Sequence, residues 1–470
     1  MSYWDKQYTD GFFNVSKEHG FLPIREPLKS LPNQYKELQD LINNLHVFQT
    51  DTNTNEKGIL GIPDEIVVQV GFVPDYSSII DKETDVFVLQ ALYRAYTFVT
   101  SGFTLEQAYQ EFLKSGNYGI ARQFLPANIA KPLVLVSSKL DVYPWLDYHY
   151  SYSLGNYVKK DPAGDLHWKN LDMACKFTGT SDEIGFIMVH VYINEVSPKL
   201  VESVMDYALY RDITSLKMCG DVMQEMNARR RDMWSASRHE RYNDFRIFIM
   251  GIKGNDKIFG QGLVYDGCFN NEPQQYRGQT GAQDNIIPMI DIFSGIVDYY
   301  PDNKLTEYLL DLRTYRPKCI QNFFTDLRNH YKVSPLFKQL TEAKCYEGLV
   351  YLLKIVDEVY LFRNGHWQFV QKYIMSNTKY AFATGGTPIT TWLINQIEAV
   401  LEYERVIIEY LQINSNNALK ENELWLTLSN DYNKKRSLLM EQVNELKKID
   451  YNIELVYMKN SELALEDSKL

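Results

Sequence analysis

Eight histidines are few enough to weigh individually: His19, His46, His149, His167, His190, His239, His330 and His366. They form no HExxH, no His-x-His and no histidine-plus-carboxylate ladder, so a dedicated zinc or non-haem iron site is weakly supported. A haem needs only one axial histidine, without any clustering. His366 stands in Tyr360-Leu361-Phe362-Arg363-Asn364-Gly365-His366-Trp367-Gln368-Phe369, an apolar helical pattern with Phe362, His366, Phe369 and Tyr373 on or near one face. The imidazole should therefore point inward, either as a core histidine satisfied by a hydrogen bond or as a haem ligand. Arg363, one turn earlier, has the reach to hold a carboxylate such as a haem propionate. Five cysteines (Cys175, Cys219, Cys268, Cys319, Cys345) are an odd number, far apart, with no CxxC and no CxxCH. Disulfide frameworks, thiolate zinc clusters and covalent haem attachment are all disfavoured.

Such groups need an interior to sit in. The chain has 470 residues, 45% hydrophobic and 23% charged, an ordinary composition for a soluble globular protein of roughly two or three domains. At this size about three quarters of the extended-chain surface should be buried, enough to enclose a cofactor. The 34 Tyr, 23 Phe and 7 Trp suit an aromatic-rich core or a pocket for a flat aromatic ligand. Net charge is −11, with the charges scattered and no long basic run, which disfavours nucleic acid as a partner. Met1 to Lys6 lack a basic segment followed by an apolar stretch, and no apolar run approaches the ~18 residues of a membrane helix. No membrane association and a cytoplasmic location are expected.

Along the chain, residues 1–60 carry turn signals around one amphipathic stretch from Tyr35 to Phe48. A helical pattern from about Asp85 to Thr100 is followed by Leu125-Pro126 and Lys131-Pro132, which should break the chain into separate segments. From about residue 184 the period is mostly helical: Ile184 to Val196, Leu200 to Tyr210, a polar stretch through Arg229-Arg230-Arg231, and Tyr242 to Ile252. The arginine triplet reads as a solvated helix face. Helical patterns resume after a glycine-punctuated loop region, in Gly278 to Ile296, Lys304 to Leu312, Cys319 to His330 and Ala343 to Ile374. Only short strands are plausible, so the fold class is predominantly α. Two further amphipathic patterns, Trp392 to Ile413 and Leu419 to Met458, follow Thr384-Gly385-Gly386-Thr387. In the second, Leu439, Val443, Leu446, Ile449, Ile453 and Val456 form one stripe, suited to a hairpin packed on the body or to self-association.

The chain also resembles a known family. Arg246-Ile247-Phe248-Ile249-Met250-Gly251-Ile252-Lys253-Gly254-Asn255, then Gly262 to Gly267, Gly278 to Gln283, Asp311 to Pro317, the His366 helix and Thr384 to Thr387 are similar to the indoleamine 2,3-dioxygenase family. Gly20-Phe21 with Leu31-Pro32, Leu125 to Pro132, and Asn156-Tyr157 with Lys159 to Pro162 extend the likeness into the N-terminal half. Each string alone is weak, whereas their common order from about residue 15 to 390 is specific.

The resemblance implies a small N-terminal domain (1–177) and a larger all-helical haem domain (178–390); the amphipathic helical extension at the C-terminus (391–470) has no counterpart in it. The resemblance also implies b-type haem and opening of the indole C2–C3 bond of L-tryptophan by O₂, giving N-formylkynurenine. His366 would be the proximal iron ligand, with Arg363 and Gly281 at the cofactor. Arg246 would pair with the substrate carboxylate, for which a bidentate fork suits, and Phe186 would stack on the indole. His149, Tyr152, Thr280, Thr384 and Gly385 would complete the substrate side. His190 replaces the serine of animal indoleamine dioxygenases and resembles the distal histidine of tryptophan 2,3-dioxygenases; one turn from Phe186, it can face the same ligand. Arg241 sits near the place of a pocket phenylalanine. These departures leave two alternatives: a haem enzyme oxygenating or rearranging another indole in secondary metabolism, or a non-catalytic haem-binding helical protein.

Overall fold

The computed structural model describes residues 6–49, 56–302, 304–375, 389–415 and 417–447. The fold is predominantly α. Its helices of nine or more residues are α1 (Lys36–Asn44), α2 (Val86–Ser115), α3 (Ala127–Leu140), α4 (Ser181–Asn194), α5 (Ser197–Tyr210) and α6 (Ile213–Arg230). They continue with α7 (Ile286–Ser294), α8 (Lys304–Arg313), α9 (Lys318–Val333), α10 (Tyr346–Phe369), α11 (Ile389–Asn414) and α12 (Glu423–Lys447). Among the described residues the strands form three two-stranded pairs, each strand two or three residues long. No described helix is long and apolar enough to cross a membrane.

α2 runs a full 15 residues past the periodicity that announces it, because apolar residues surround its axis and nearly all of it is buried. Asp85 caps it by accepting from the Phe87 N–H at 2.8 Å, and Gly116, at φ +74°, ends it. The expected break at Pro132 does not occur. Pro126 precedes α3 and Pro132 lies inside it, where its buried ring offsets the lost backbone hydrogen bond. The pattern Ala343 to Ile374 divides into α10 and a π-helical turn, Val370–Met375.

One continuous core links Tyr8 and Phe21 near the N-terminus to Leu439 and Val443 near the C-terminus. α10 packs most extensively against α6 and α11, and α7 packs on α9 and α10. α12 lies on α11 and α10, where Leu439 and Val443 are buried against the same chain. This part of the stripe is therefore covered within the molecule; Ile449, Ile453 and Val456 lie outside the described residues.

Lys435 of α12 joins two carboxylates from different helices, Asp357 of α10 and Glu404 of α11, the latter at 3.2 Å. Burial pushes Glu404 up toward its neutral form, and Lys435 pulls it back. Replacing Lys435 with Met should leave both acids buried without a cation, costing about 3–5 kcal/mol above pH 8, where Glu404 is ionised. A carboxyl whose folded-state pKa lies above its unfolded value penalises folding at high pH and regains stability as it protonates. Urea unfolding should accordingly show a deficit that grows as pH rises through about 8, where Glu404 ionises beside Lys435 in the wild type, and that is smaller at pH 6.5; a deficit equal on both sides of pH 8 would contradict this account.

Candidate active site

α4, the end of α6, the turn 279–284, α7 and α10 with its π-helical turn enclose a cavity of about 260 Å³. That is far beyond the packing voids of a close-packed interior. His366 of α10 lines it. Burial, with Arg230 and His190 nearby, lowers its pKa to about 4, so the imidazole is neutral at pH 7. Among the described residues neither of its ring nitrogens has a hydrogen-bond partner. The structure thus lacks the bond that a purely structural core histidine would make, and presents a neutral imidazole to an open space.

His190 lines the same cavity from α4. Its Nδ1 lies 3.1 Å from the Phe186 carbonyl. A carbonyl only accepts, so Nδ1 carries the proton and Nε2 is left as an acceptor. A Cβ built on Gly281 would come 3.6 Å from that Nε2, which brings the turn and the histidine into contact distance. Burial lowers the His190 pKa against the opposing pull of Asp284. The Asp284 carboxylate itself accepts from the Tyr148 hydroxyl at 2.8 Å and from Asn194 Nδ2 at 2.7 Å. Phe186 belongs to an aromatic group with Tyr242 at 5.0 Å and Tyr373 at 6.1 Å between ring centroids, and both of these also line the cavity. Flat apolar rings of this kind suit a flat apolar ligand.

The turn that carries Thr280 and Gly281 is pinned from behind. A Cβ on Gly251 would come within 2.0 Å of the Gly278 nitrogen, and one on Gly278 within 2.2 Å of the Gly251 nitrogen, so the two backbones cross where no side chain fits. Thr280 and Gln283 then form a capping box over the 3₁₀ turn Gly281–Gln283.

Charge on the cavity wall is unbalanced. Arg230, Arg313, Arg316 and Arg363 face Asp284 and Asp291, an excess of two cations among the described lining residues. Arg363 is matched: its Nη2 donates to Asp291 at 2.6 Å and its Nη1 to the Gln396 carbonyl at 2.8 Å, while Tyr300 also donates to Asp291. Arg316 meets neutral acceptors, Asn285 Oδ1 and the Asp284 carbonyl, both at 3.0 Å, and burial lowers its pKa to about 9. No described group of three or more His, Cys, Asp or Glu could hold a bare metal ion. The donor set instead fits b-type haem: one neutral axial imidazole, apolar walls and two unmatched positive charges for two propionates.

Of the residues singled out in the sequence, His366, Arg363, His190, Phe186, Thr280 and Gly281 share this cavity. His149, Tyr152 and Arg246 do not line it. His149 is buried with Nε2 3.1 Å from Asn285 Oδ1, and Tyr152 donates to Glu183 at 3.2 Å. Arg246 is fully buried beside the wall residue Tyr242, whose hydroxyl it holds down against the upward push of burial. Arg241 pairs with Asp244 at 2.9 Å, also off the wall. Thr384 and Gly385 lie outside the described residues. Sequence reasoning missed Asp284, Arg316, Tyr300 and Arg230, the last because it sits in a polar triplet; its one signal is Gly365, a glycine inside an otherwise strong helix.

A profile of the family described as Indoleamine 2,3-dioxygenase matches residues 10–391. Indoleamine 2,3-dioxygenase 1 of Rattus norvegicus is 30% identical over 257 residues, 50% of this chain and 62% of that protein. The Mus musculus protein of the same name is 26% identical over 279 residues, 55% and 64% respectively. The chain therefore spans less than two thirds of either. Indoleamine 2,3-dioxygenase 2 of Mus musculus is 26% identical over 391 residues, 80% of this chain and 87% of that one. With the profile covering well over half of its length, and from residues on both sides of the cavity, the chain belongs to the indoleamine 2,3-dioxygenase family.

Proposed function

We propose that the protein is a cytoplasmic haem-dependent dioxygenase that opens the indole C2–C3 bond of L-tryptophan with O₂ to give N-formylkynurenine. The observation that carries this reading is the pair of neutral histidines on one cavity, His366 without a hydrogen-bond partner among the described residues and His190 with its tautomer set by Phe186. Bound haem would supply the redox chemistry with O₂. His366 would hold the iron. The aromatic wall around Phe186 would receive the indole ring and exclude water, and His190 Nε2 would accept a hydrogen bond from the indole N–H. Arg246, in contact with the wall residue Tyr242, would take the substrate carboxylate. Positioning of this kind is the main thing the chain has to provide, since it replaces a costly encounter by a prearranged one.

The decisive measurement is O₂ uptake by the reduced, haem-loaded protein with L-tryptophan, together with product mass. Gain of two oxygen atoms without loss of carbon is expected; a product with one added oxygen would point to different chemistry. His366→Ala should abolish the normal Soret band on purification, and an unchanged spectrum at full haem occupancy would refute the ligand assignment. Arg246→Ala should weaken tryptophan roughly 30- to 1000-fold, the equivalent of about 2–4 kcal/mol for a desolvated charge-assisted pair, while indole, lacking the carboxylate, binds both forms alike.

His190→Ser should keep haem and turnover but lose roughly 0.5–1.5 kcal/mol of substrate affinity. Because burial lowers the His190 pKa below its ordinary 6.5, Nε2 stays an acceptor through neutral pH and is lost only on the acid side. The wild-type pH profile should therefore fall below about pH 6.5, and the serine variant should flatten that limb. An unchanged limb in the variant would separate His190 from the substrate.

A further inference from the structure

The middle member of the arginine triplet does not behave like its neighbour. Arg229 points to acids, pairing with Glu195 at 2.6 Å and Glu225 at 2.7 Å. Arg230, the last residue of α6, instead lines the cavity. Its guanidinium lies flat on α10 at the residue before His366: a Cβ on Gly365 would meet Nη2 at 2.2 Å, Nη1 at 2.4 Å and Cζ at 2.5 Å. The rings of Phe362 and Phe369 flank it at 5.8 and 5.5 Å. Among the described residues it has one hydrogen bond, Nε to Asn227 Oδ1 at 3.5 Å, and no carboxylate within ion-pair distance. Burial, with Arg231 beside it, lowers its pKa to about 10, which leaves it charged at neutral pH. A mostly buried cation without a counter-charge is costly, and cation–π contacts offset only part of that.

Arg363, by contrast, has a counter-charge in Asp291 at 2.6 Å. We propose that Arg230 is the anchor for a carboxylate of the cavity's occupant, namely a haem propionate, and that Gly365 is glycine because the waiting guanidinium occupies the space of a side chain. The inference rests on the reading of the cavity as a haem site. Seating of Arg230 against the turn of α10 that carries His366 favours a propionate over the substrate carboxylate.

The test is optical titration of the full chain, freed of haem, with haemin and with haemin dimethyl ester, following the Soret band. Arg230→Leu should weaken haemin at least tenfold and leave the ester, which has no carboxylate, unchanged. Arg230→Lys should recover part of the loss. Gly365→Ala, which displaces the guanidinium without removing it, should reproduce the loss. Equal weakening of haemin and ester by Arg230→Leu would show a packing role and overturn the proposal, as would unchanged haemin affinity. Unchanged haemin affinity with weaker L-tryptophan but unaltered indole binding would assign the arginine to the substrate instead. If the wild-type chain forms no Soret band with haemin, the haem reading and this inference both fall; if it does and Arg230→Leu matches it, only this inference falls.

Discussion

The buried pair between Arg363 and Asp291 fixes more of this molecule than its two residues suggest. Taking both charges out of water costs roughly several kcal/mol per ion, and such a pair survives only with close geometry and further hydrogen bonds. Both conditions hold, through the 2.6 Å contact, the Tyr300 hydroxyl on Asp291 and the Gln396 carbonyl on Arg363. α7, α10 and α11 are thereby tied at one point. His366 follows Arg363 by three residues on a straight helix, so a pair that sets the rotation of α10 also sets where the imidazole faces.

Across the cavity the constraint is of another kind. His190 is oriented by a backbone carbonyl on its own helix, while the opposing turn is held by a crossing of two glycines. Both histidines are neutral for the same reason, desolvation, yet their uses differ. One nitrogen of His190 is spent on Phe186, which makes the other a directed acceptor. His366 spends neither among the described residues. Two imidazoles, each kept neutral by burial, thus acquire distinct chemistry from hydrogen bonding.

Much of this was legible in the sequence because helical period and the apolar face are local properties. The pattern through Phe362, His366 and Phe369 placed the imidazole inward without any knowledge of what lay opposite. The π-helical turn after Phe369 was not legible, since a one-residue widening leaves no mark in a 3.6 period. Pro132 misled for a related reason: the rule against proline in helices is statistical, and tertiary burial overrode it. Arg230 was read as solvated because charge at the end of a helix usually is. Its true surroundings depend on Gly365, more than 130 positions later, and on rings that pack there only after folding. Arg246, conversely, stood out by its motif, and in the structure it lies buried beside Tyr242, off the cavity wall.

The family profile ends at residue 391, within the first turn of α11, whereas the buried network of the protein does not end there. Lys435, well beyond it, neutralises an acid on the very helix that bears His366. A boundary drawn from similarity and a boundary drawn from cohesion are therefore different places in this chain. Trimming to the shared region would remove the cation and strip the cover of α12 from α10, so a cut that touches no residue of the pocket wall would still unsettle the helix that carries His366.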